Sequence, residues 1–381
     1  MSVVWSFPPT GKVTEILGWR TDVIQAKSQE QRIGLRKLPR RSWELEHQVL
    51  PEQVKYIKDV YLSDKDFIVP DWVSPLGRFQ VAAGTHVVVP LPGTANAIEV
   101  GDYIVLWSGL SLHEACVVEA SDGVSITLAS VTAAQTALLL RGDECIPTKE
   151  VSISRAAYGK SKVTTSFSSK GNAPATAVGS YNMLADLDIF PWFSVVASGA
   201  LDEDIEWPLM TLDGEVGRQE SWYERTYSSD VVKVSFLEST PAGILDVRKW
   251  LFSKKGKLIP FWLSSWSNDF VAASTLGSSG TILTVFADFM QLSGFPEIQA
   301  LEIVGNSTYH REVVSVTAGS PVGGRPTYYI ELSSSLGTAH DPEDFIRISV
   351  MKKRRFDTDR FELNYSEGGK MRLNARCVAV P

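Results

Sequence analysis

The stretch SDKDFIVPDWV (Ser63–Val73) has a counterpart, SKKGKLIPFWL (Ser253–Leu263), in the second half of the same chain. The longer segment Pro51–Val73 aligns with Pro241–Leu263 without a gap, and the two copies share the spacing of their apolar residues as well as several identities. Such an internal repeat indicates two copies of one structural unit. The chain has 381 residues, which also favours several domains over a single core.

The repeated segment predicts a short helix followed by an extended, aromatic stretch. Three apolar positions recur at helical spacing in each copy: Val54, Ile57 and Tyr61 in the first, and Ile244, Val247 and Leu251 in the second. A proline suits the first position of a helix, and one stands there in both copies. After the extended stretch each copy has a proline and a tryptophan, which we interpret as structural anchors: Pro70, Trp72, Pro260 and Trp262.

Runs of alternating apolar and polar residues precede both helices, and glycine-punctuated strand patterns follow each aromatic stretch. The sequence therefore predicts a mainly β fold in which two tandem units each contain a short helix and an inserted small β-barrel or sandwich domain. The predicted boundaries are 1–76 with 144–172 for the first unit, 77–143 for its insert, 173–202 for a linker, 203–274 with 343–381 for the second unit, and 275–342 for its insert.

Two charged stretches are candidate interface segments. In RKLPRRSWELEH (Arg36–His47) the cations stop and acids follow at once, whereas a nucleic-acid surface needs basic residues spread over a broad face. In RRFDTDRFELNY (Arg354–Tyr365) acids and cations alternate, which favours ion pairs at a strand start or across a subunit contact over a Ca²⁺ loop. The residues that we assign to this candidate interface are Arg36, Arg40, Arg41, Arg354, Arg355, Asp357, Asp359 and Arg360.

The overall composition argues against several functions. The net charge of -7 disfavours a role in binding polyanions, although an acidic total leaves room for a local basic patch. Three cysteines are too few for a disulfide framework, and the five histidines lie far apart, so we predict no metal or cofactor site. No segment approaches the ~20 apolar residues that span a bilayer, and the N-terminus has no signal-peptide pattern.

A catalytic role has little support in the sequence. The chain has no glycine-rich phosphate loop after a strand, no G-x-S-x-G elbow and no H-E-x-x-H, so we expect no enzyme. A hydrolase that uses Asp64, Asp66 and Asp71 as acid and base is one alternative interpretation, and it requires two carboxyl groups on either side of a groove. A second alternative is a glycan-binding module that stacks sugars on tryptophans.

Several stretches of the chain resemble one family. GWRTDVIQAKSQEQRIGLRKLPRRSWELE (18–46), followed by a short helix and KDFIVPDWV, resembles the distal tail proteins at the tail tip of long-tailed bacteriophages and of phage-like gene transfer agents. ILDVRKWLFSKKGKLIPFWLSSWSNDF (244–270) is the closer match, and RRFDTDRFELNYSEGGKMRLNARCVAVP (354–381) resembles their closing strands. The similarity covers about half of the chain, in patches, and the simplest family members have one such unit where this chain has two.

The resemblance implies two tail-tube-like β-sandwich units that pair their sheets around a ring. Six units close such a ring, so a chain with two units is expected to form a trimer with pseudo-sixfold symmetry, with a hexamer of chains as the alternative. The expected partners are further copies of the chain, the tail tube protein, the tape measure protein, and tail-tip hub and tail fibre proteins. DNA would pass through the lumen without specific binding. The expected location is the virion, with assembly in the host bacterial cytoplasm, and a host-surface or glycan-binding tail module is the alternative function.

Overall fold

The structure is a computed structural model of the chain. It describes residues 3–25, 29–63, 66–90, 98–155, 159–173, 179–192, 202–206, 209–213, 219–223, 229–286, 298–366 and 369–380. Strands account for 57% of the described residues, and the same part of the chain has two α-helices, so the predicted mainly β class is confirmed. Neither helix is long and apolar enough to cross a bilayer.

The first half of the chain places one α-helix among its strands. Up to the first insert the elements are β1 (Val3–Val4), β2 (Val13–Gly18), β3 (Thr21–Gln25), β4 (Glu30–Gly34), β5 (Arg40–Val49), α1 (Pro51–Ser63) and β6 (Phe67–Pro70). The next six strands are β7 (Gly77–Val81), β8 (Gly84–Pro90), β9 (Tyr103–Trp107), β10 (His113–Ser121), β11 (Ser125–Val131) and β12 (Gln135–Pro147). The half closes with β13 (Ser152–Arg155) and β14 (Ser161–Asn172).

The second half follows a similar order. It begins with β15 (Met183–Leu184), β16 (Leu187–Asp188), β17 (Asp202–Glu206), β18 (Leu209–Leu212), β19 (Glu220–Tyr223), β20 (Ser229–Glu238), α2 (Pro241–Lys254) and β21 (Phe261–Ser264). It continues with β22 (Ile282–Phe286), β23 (Ala300–Val304), β24 (Thr308–Val322), β25 (Arg325–Leu332), a 3₁₀ turn at Pro342–Asp344, β26 (Arg347–Phe356), β27 (Arg360–Tyr365) and β28 (Met371–Ala379).

Both predicted helices are confirmed, and both begin at the repeated proline. The hydroxyl of Thr240 caps α2 by accepting a hydrogen bond from the backbone N–H of Gly243 at 3.1 Å. Five of the six aligned apolar positions of the two helices are buried in one shared core, and the sixth, Tyr61, is partly buried against it. The helices therefore hold equivalent places in the two halves.

The gapless alignment is wrong after the helices. Phe67 begins β6 and pairs with β12, while Phe261 begins β21 and pairs with β26 in the same way, and both rings are fully buried. Trp72, just beyond β6, therefore corresponds to Trp266, just beyond β21, rather than to Trp262. Trp262 lies inside β21, where its Nε1–H donates to the carbonyl of Leu184 at 2.8 Å.

The proline anchors are corrected for the same reason. Pro70 is the last residue of β6, whereas Pro260 stands before β21. The second copy has a longer connection, which starts where Lys255 ends α2 in the left-handed region (φ 53°) and Gly256 follows at φ 69°. Pro70 with Trp72 and Pro260 with Trp262 are therefore not equivalent pairs.

Two further apolar clusters are formed mostly by residues of the two segments that the sequence predicts as inserts. Strands β7–β12–β9–β10–β11–β8 form an antiparallel sheet, in that order, around a cluster that runs from Leu76 to Leu139. Strands β22–β25–β24–β23 continue into β26 and cover a second cluster, from Phe270 to Ile348. The boundaries between units and inserts stay predictions.

We expect Trp262→Ala to lower the free energy of unfolding by about 3–5 kcal/mol, because the change removes a buried indole and its hydrogen bond. Urea unfolding followed by circular dichroism measures the loss. Trp222→Ala is the matched control, because this side chain is 49% exposed, and we expect a change within about 0.5 kcal/mol. Similar losses in the two variants would show that Trp262 is not a core anchor.

Candidate functional site

The two halves of the chain meet at β2. One edge of β2 pairs antiparallel with β5 of the first half, and the other edge pairs antiparallel with β27 of the second half. Glu15, in the middle of β2, lies opposite Trp43 on one side and Leu363 on the other. We call this arrangement of β5, β2 and β27 the in-chain joint.

Glu15 is a buried carboxylate at the centre of the in-chain joint, with 2% of its side chain exposed. Its Oε1 accepts a hydrogen bond from Arg41 Nε at 2.7 Å. Its Oε2 accepts from Arg248 Nη2 at 2.5 Å and from the Tyr365 hydroxyl at 2.8 Å. Because Arg41 belongs to the first half and Arg248 and Tyr365 to the second, this one carboxylate ties the two halves together.

Two further carboxylates complete the cluster. Arg41 Nη2 lies 2.5 Å from Asp71 Oδ2, and Arg41 Nη1 lies 3.1 Å from Asp143 Oδ2. The Oδ1 atom of Asp71 also accepts from the backbone N–H groups of Val73 and Ser74 at 3.1 Å each. Buried charges are costly unless they are paired and hydrogen-bonded, so the cluster favours the one arrangement that satisfies all of them.

The surroundings of the cluster shift several pKa values. Burial alone would raise the pKa of Asp71, but the charges of Arg41 and Arg248 and the hydrogen bond from Arg41 outweigh it and lower the pKa to about 2. Burial raises the pKa of the Tyr365 hydroxyl well above its ordinary value. At neutral pH Asp71 is therefore ionised, and the Tyr365 hydroxyl keeps its proton and donates a hydrogen bond to Glu15 Oε2.

A cavity of about 30 Å³ adjoins this cluster, and its lining includes Arg41, Asp71 and Arg248. Such a space holds a water molecule and is too small for a sugar ring. Among the residues that the structure describes, no group of three or more His, Cys, Asp or Glu side chains is arranged to hold a metal ion.

An aromatic contact and a second salt bridge also join the halves. The ring of Trp19, just beyond β2, packs edge-on against Phe252 at 5.5 Å and Phe361 at 5.8 Å between ring centroids. Glu30, in β4, receives two hydrogen bonds from Arg355, from Nε at 2.7 Å and from Nη2 at 2.8 Å. The contact between the two halves thus combines the strand ladder of the in-chain joint with apolar packing and buried ion pairs.

The second half has its own charged cluster on β20 and β26. Arg354 Nη2 lies 2.8 Å from Asp230 Oδ2 and 3.0 Å from Glu203 Oε1, and Lys352 also pairs with Asp230. A hydrogen bond with Asp230, together with burial, raises the pKa of Glu203. Glu203 is nevertheless 45% exposed, unlike Glu15.

The two clusters have ion pairs at equivalent positions, but the cation of one cluster stands where the anion of the other does. Arg41 and Asp230 occupy the same place on β5 and β20, judged by the strands that pair with them. Asp143 and Lys352 occupy the same place on β12 and β26. Arg41 pairs with Asp143, and Asp230 pairs with Lys352, so the cation and the anion have exchanged positions between the halves.

The predicted interface residues divide into two groups. Arg41, Arg354 and Arg355 are buried within the chain, and this corrects the expectation that they are available to another subunit. Asp359 is also used within the chain, where its carboxylate accepts from the backbone N–H groups of Thr21 at 2.6 Å and Lys257 at 2.9 Å.

The remaining predicted residues lie nearer the surface. Arg36 donates to the carbonyl of Gly18 at 3.0 Å, and Asp357 lies 3.9 Å from Arg355. Arg40 and Arg360 are exposed on either side of β2 at the same end of that strand, since both pair with Gly18. A subunit contact through these exposed residues stays a prediction.

The aspartates of the hydrolase interpretation do not form an acid–base pair in the structure. Asp71 is buried and ion-paired with Arg41, whereas Asp66 lies at the surface 2.9 Å from Lys170 Nζ. Asp64 lies outside the described residues. The arrangement of Asp66 and Asp71 fits ion pairing within the fold.

Sequence reasoning missed Glu15 and Arg248, the central pair of the joint. The signals were present: Glu15 interrupts the apolar strand VTEILG, and Arg248 directly follows Val247, one of the apolar positions at helical spacing. A charge inside an apolar strand predicts a buried partner. The partner itself is far away in sequence and cannot be found from spacing.

No protein-family model matches this chain, and a search of curated proteins finds no match either.

We expect Arg248→Met to destabilise the protein by about 3–5 kcal/mol, because it leaves the buried Glu15 without its cationic partner from the second half. The neighbouring Lys249→Met is the matched control, since Lys249 forms a surface pair with Asp246, and its cost should stay below about 1 kcal/mol. Urea unfolding measures both. Equal effects would mean that the joint does not depend on the buried charge.

We expect Asp71 to make the free energy of unfolding depend on pH in the acid range. Its pKa falls from 3.8 to about 2 on folding, so its contribution is complete above pH 3.8 and is lost as the pH drops towards 2. Asp71→Asn should therefore be destabilised at neutral pH, and the difference from the parent protein should shrink across that window. Thermal unfolding between pH 2 and 7 measures this, with Asp66→Asn as the control that should follow the parent curve at all pH values.

Proposed function

We propose that this chain is a non-enzymatic structural protein of a phage tail tip, built from two tandem tail-tube-like β-sandwich units. In this proposal it assembles into a ring that joins the tail tube to the tip or baseplate. The mainly β fold, the repeated β5–α1–β6 and β20–α2–β21 segments and the resemblance of the sequence to distal tail proteins support it.

The in-chain joint is the observation that carries the proposal. Two similar halves of one chain are connected edge to edge by the β2–β27 ladder. A contact between similar units that leaves further edges open can be repeated, and repetition with rotation closes a ring. Three chains with two units each would give a trimer with pseudo-sixfold symmetry, which suits a junction between a sixfold tube and a threefold tip.

The surface charge fits a passive conduit. A net charge of -7 repels phosphate, so DNA would slide through the lumen without adhering to it during ejection. The proposed neighbours are the tail tube protein, the tape measure protein, and the hub and tail fibre proteins, and the proposed location is the virion. The alternative, a host-surface or glycan-binding module, would place the function in the inserts 77–143 and 275–342 instead.

The mass of the purified chain tests the ring. We expect mass photometry to show trimers, and electron microscopy to show six-lobed rings with a central opening. A peptide-tagged chain should be labelled at the tail tip of particles. A chain that stays monomeric at every concentration and among its tail partners would rule the ring out, and an insert that is retained on host polysaccharide would favour the alternative.

A further inference from the structure

The second half has a counterpart of β2 with an open edge. Glu15 of β2 pairs with Trp43, and Glu203 of β17 pairs with Val232. Trp43 and Val232 hold the same place relative to β14 and β28, so β17 is the counterpart of β2. Within the described residues β17 pairs only with β20, which leaves its second edge open.

The first half has an open counterpart of β27. Arg155 of β13 reaches, across β14, the level of Val49, which is the last residue of β5. Tyr365 of β27 reaches, across β28, the level of Glu238, which is the last residue of β20. β13 is therefore the counterpart of β27, and in the part of the chain that the structure describes it pairs only with β14.

We propose that a second copy of this chain docks its β17 edge on the β13 edge of the first copy and so repeats the in-chain joint between chains. This inference rests on the proposed ring and identifies the surfaces that close it. Transferring the β2–β27 register sets Glu203 of one copy opposite Ile153 of the other, and Asp204 opposite Ser152. The ladder ends before Glu206 and Glu150, since these like charges would oppose each other.

Charge complementarity favours a second copy as the occupant. In the in-chain joint Glu15 is met by Arg248 of α2 and Tyr365 of β27. The equivalent positions on α1 and β13 are Lys58 and Arg155, which are both exposed cations. Docking would bring these two cations to the half-exposed carboxylate of Glu203, on an edge whose sequence is the acidic DEDIE.

Partly buried apolar residues at the β13 edge also favour a second copy of the chain as its partner. Phe361 and Leu363 of β27, the strand that pairs with β2, are buried, with 1% and 0% of their surface exposed. Their counterparts on the first half, Val151 and Ile153, pack against the main core but are only partly buried. The sequence repeats as well, since Trp207 follows Ile205 by two positions as Trp19 follows Leu17, although Trp207 lies outside the described residues.

A cysteine pair tests the register. Residues directly opposite in an antiparallel ladder have Cα atoms about 4.5–5.5 Å apart, within the range of a disulfide. We expect the double variant Asp204→Cys with Ser152→Cys to form covalent multimers under mild oxidation. The native cysteines are buried and do not interfere. The double variant Ile16→Cys with Glu362→Cys, at the equivalent positions of the in-chain joint, is the positive control and should crosslink within one chain.

The register control is Asp204→Cys with Ser154→Cys, which is displaced by two residues and should crosslink much less. If the parent chain forms no ring, the proposed function itself fails. If the ring forms and the in-chain control crosslinks, but the Asp204–Ser152 pair does not, the ring stands and the β13–β17 contact is overturned. Equal crosslinking of the two intermolecular pairs would overturn the register.

Charge reversal gives a second readout. We expect Lys58→Glu to raise the dissociation constant of the assembly by about tenfold or more, with thermal unfolding of the monomer unchanged because Lys58 is exposed. Lys55→Glu, one turn away on the same helix and also exposed, is the matched control with little effect. Equal effects of the two variants would show that Glu203 is not the partner of Lys58.

Discussion

The contact between the two halves of this fold depends on one buried carboxylate whose partners come from both halves. The buried side chain of Glu15 pairs with both Arg41 and Arg248, and these two residues lie in different halves. Burying a charged group is costly unless it is paired and hydrogen-bonded. The backbone ladder between β2 and β27 and the ion pairs at Glu15 depend on each other. A slip of β2 by one residue would turn Glu15 to the other face of the sheet and leave both guanidinium groups without it.

The repeat, the mainly β class and both helices could be predicted because apolar spacing and proline positions are local properties. The pairing of Trp72 with Trp262 was wrong because the extra residues fall in a polar connection, where the apolar pattern shows no gap. The sequence marked the arginines as candidate interface residues, but the burial of Arg41 and Arg355 could not be predicted from it. Their partners Glu15 and Glu30 reach them only through the topology of the sheet.

The reversed ion pairs of the two halves have a consequence for folding. Tandem units with similar sequences can exchange strands and misassemble. If β12 took the place of β26, Asp143 would face Asp230, and in the reverse exchange Lys352 would face Arg41. Both mispaired arrangements put like charges together in a poorly solvated place, so the exchange of signs helps each half to select its own strands.

The covalent link between the halves also changes how association depends on concentration. Two units on one chain meet at an effective concentration that the connecting segment sets, whatever the abundance of the protein. The β2–β27 contact therefore forms when the chain folds and does not dissociate on dilution. In an assembly of several chains, the contacts within each chain would persist at concentrations where the contacts between chains dissociate. Disassembly would therefore stop at the two-unit chain.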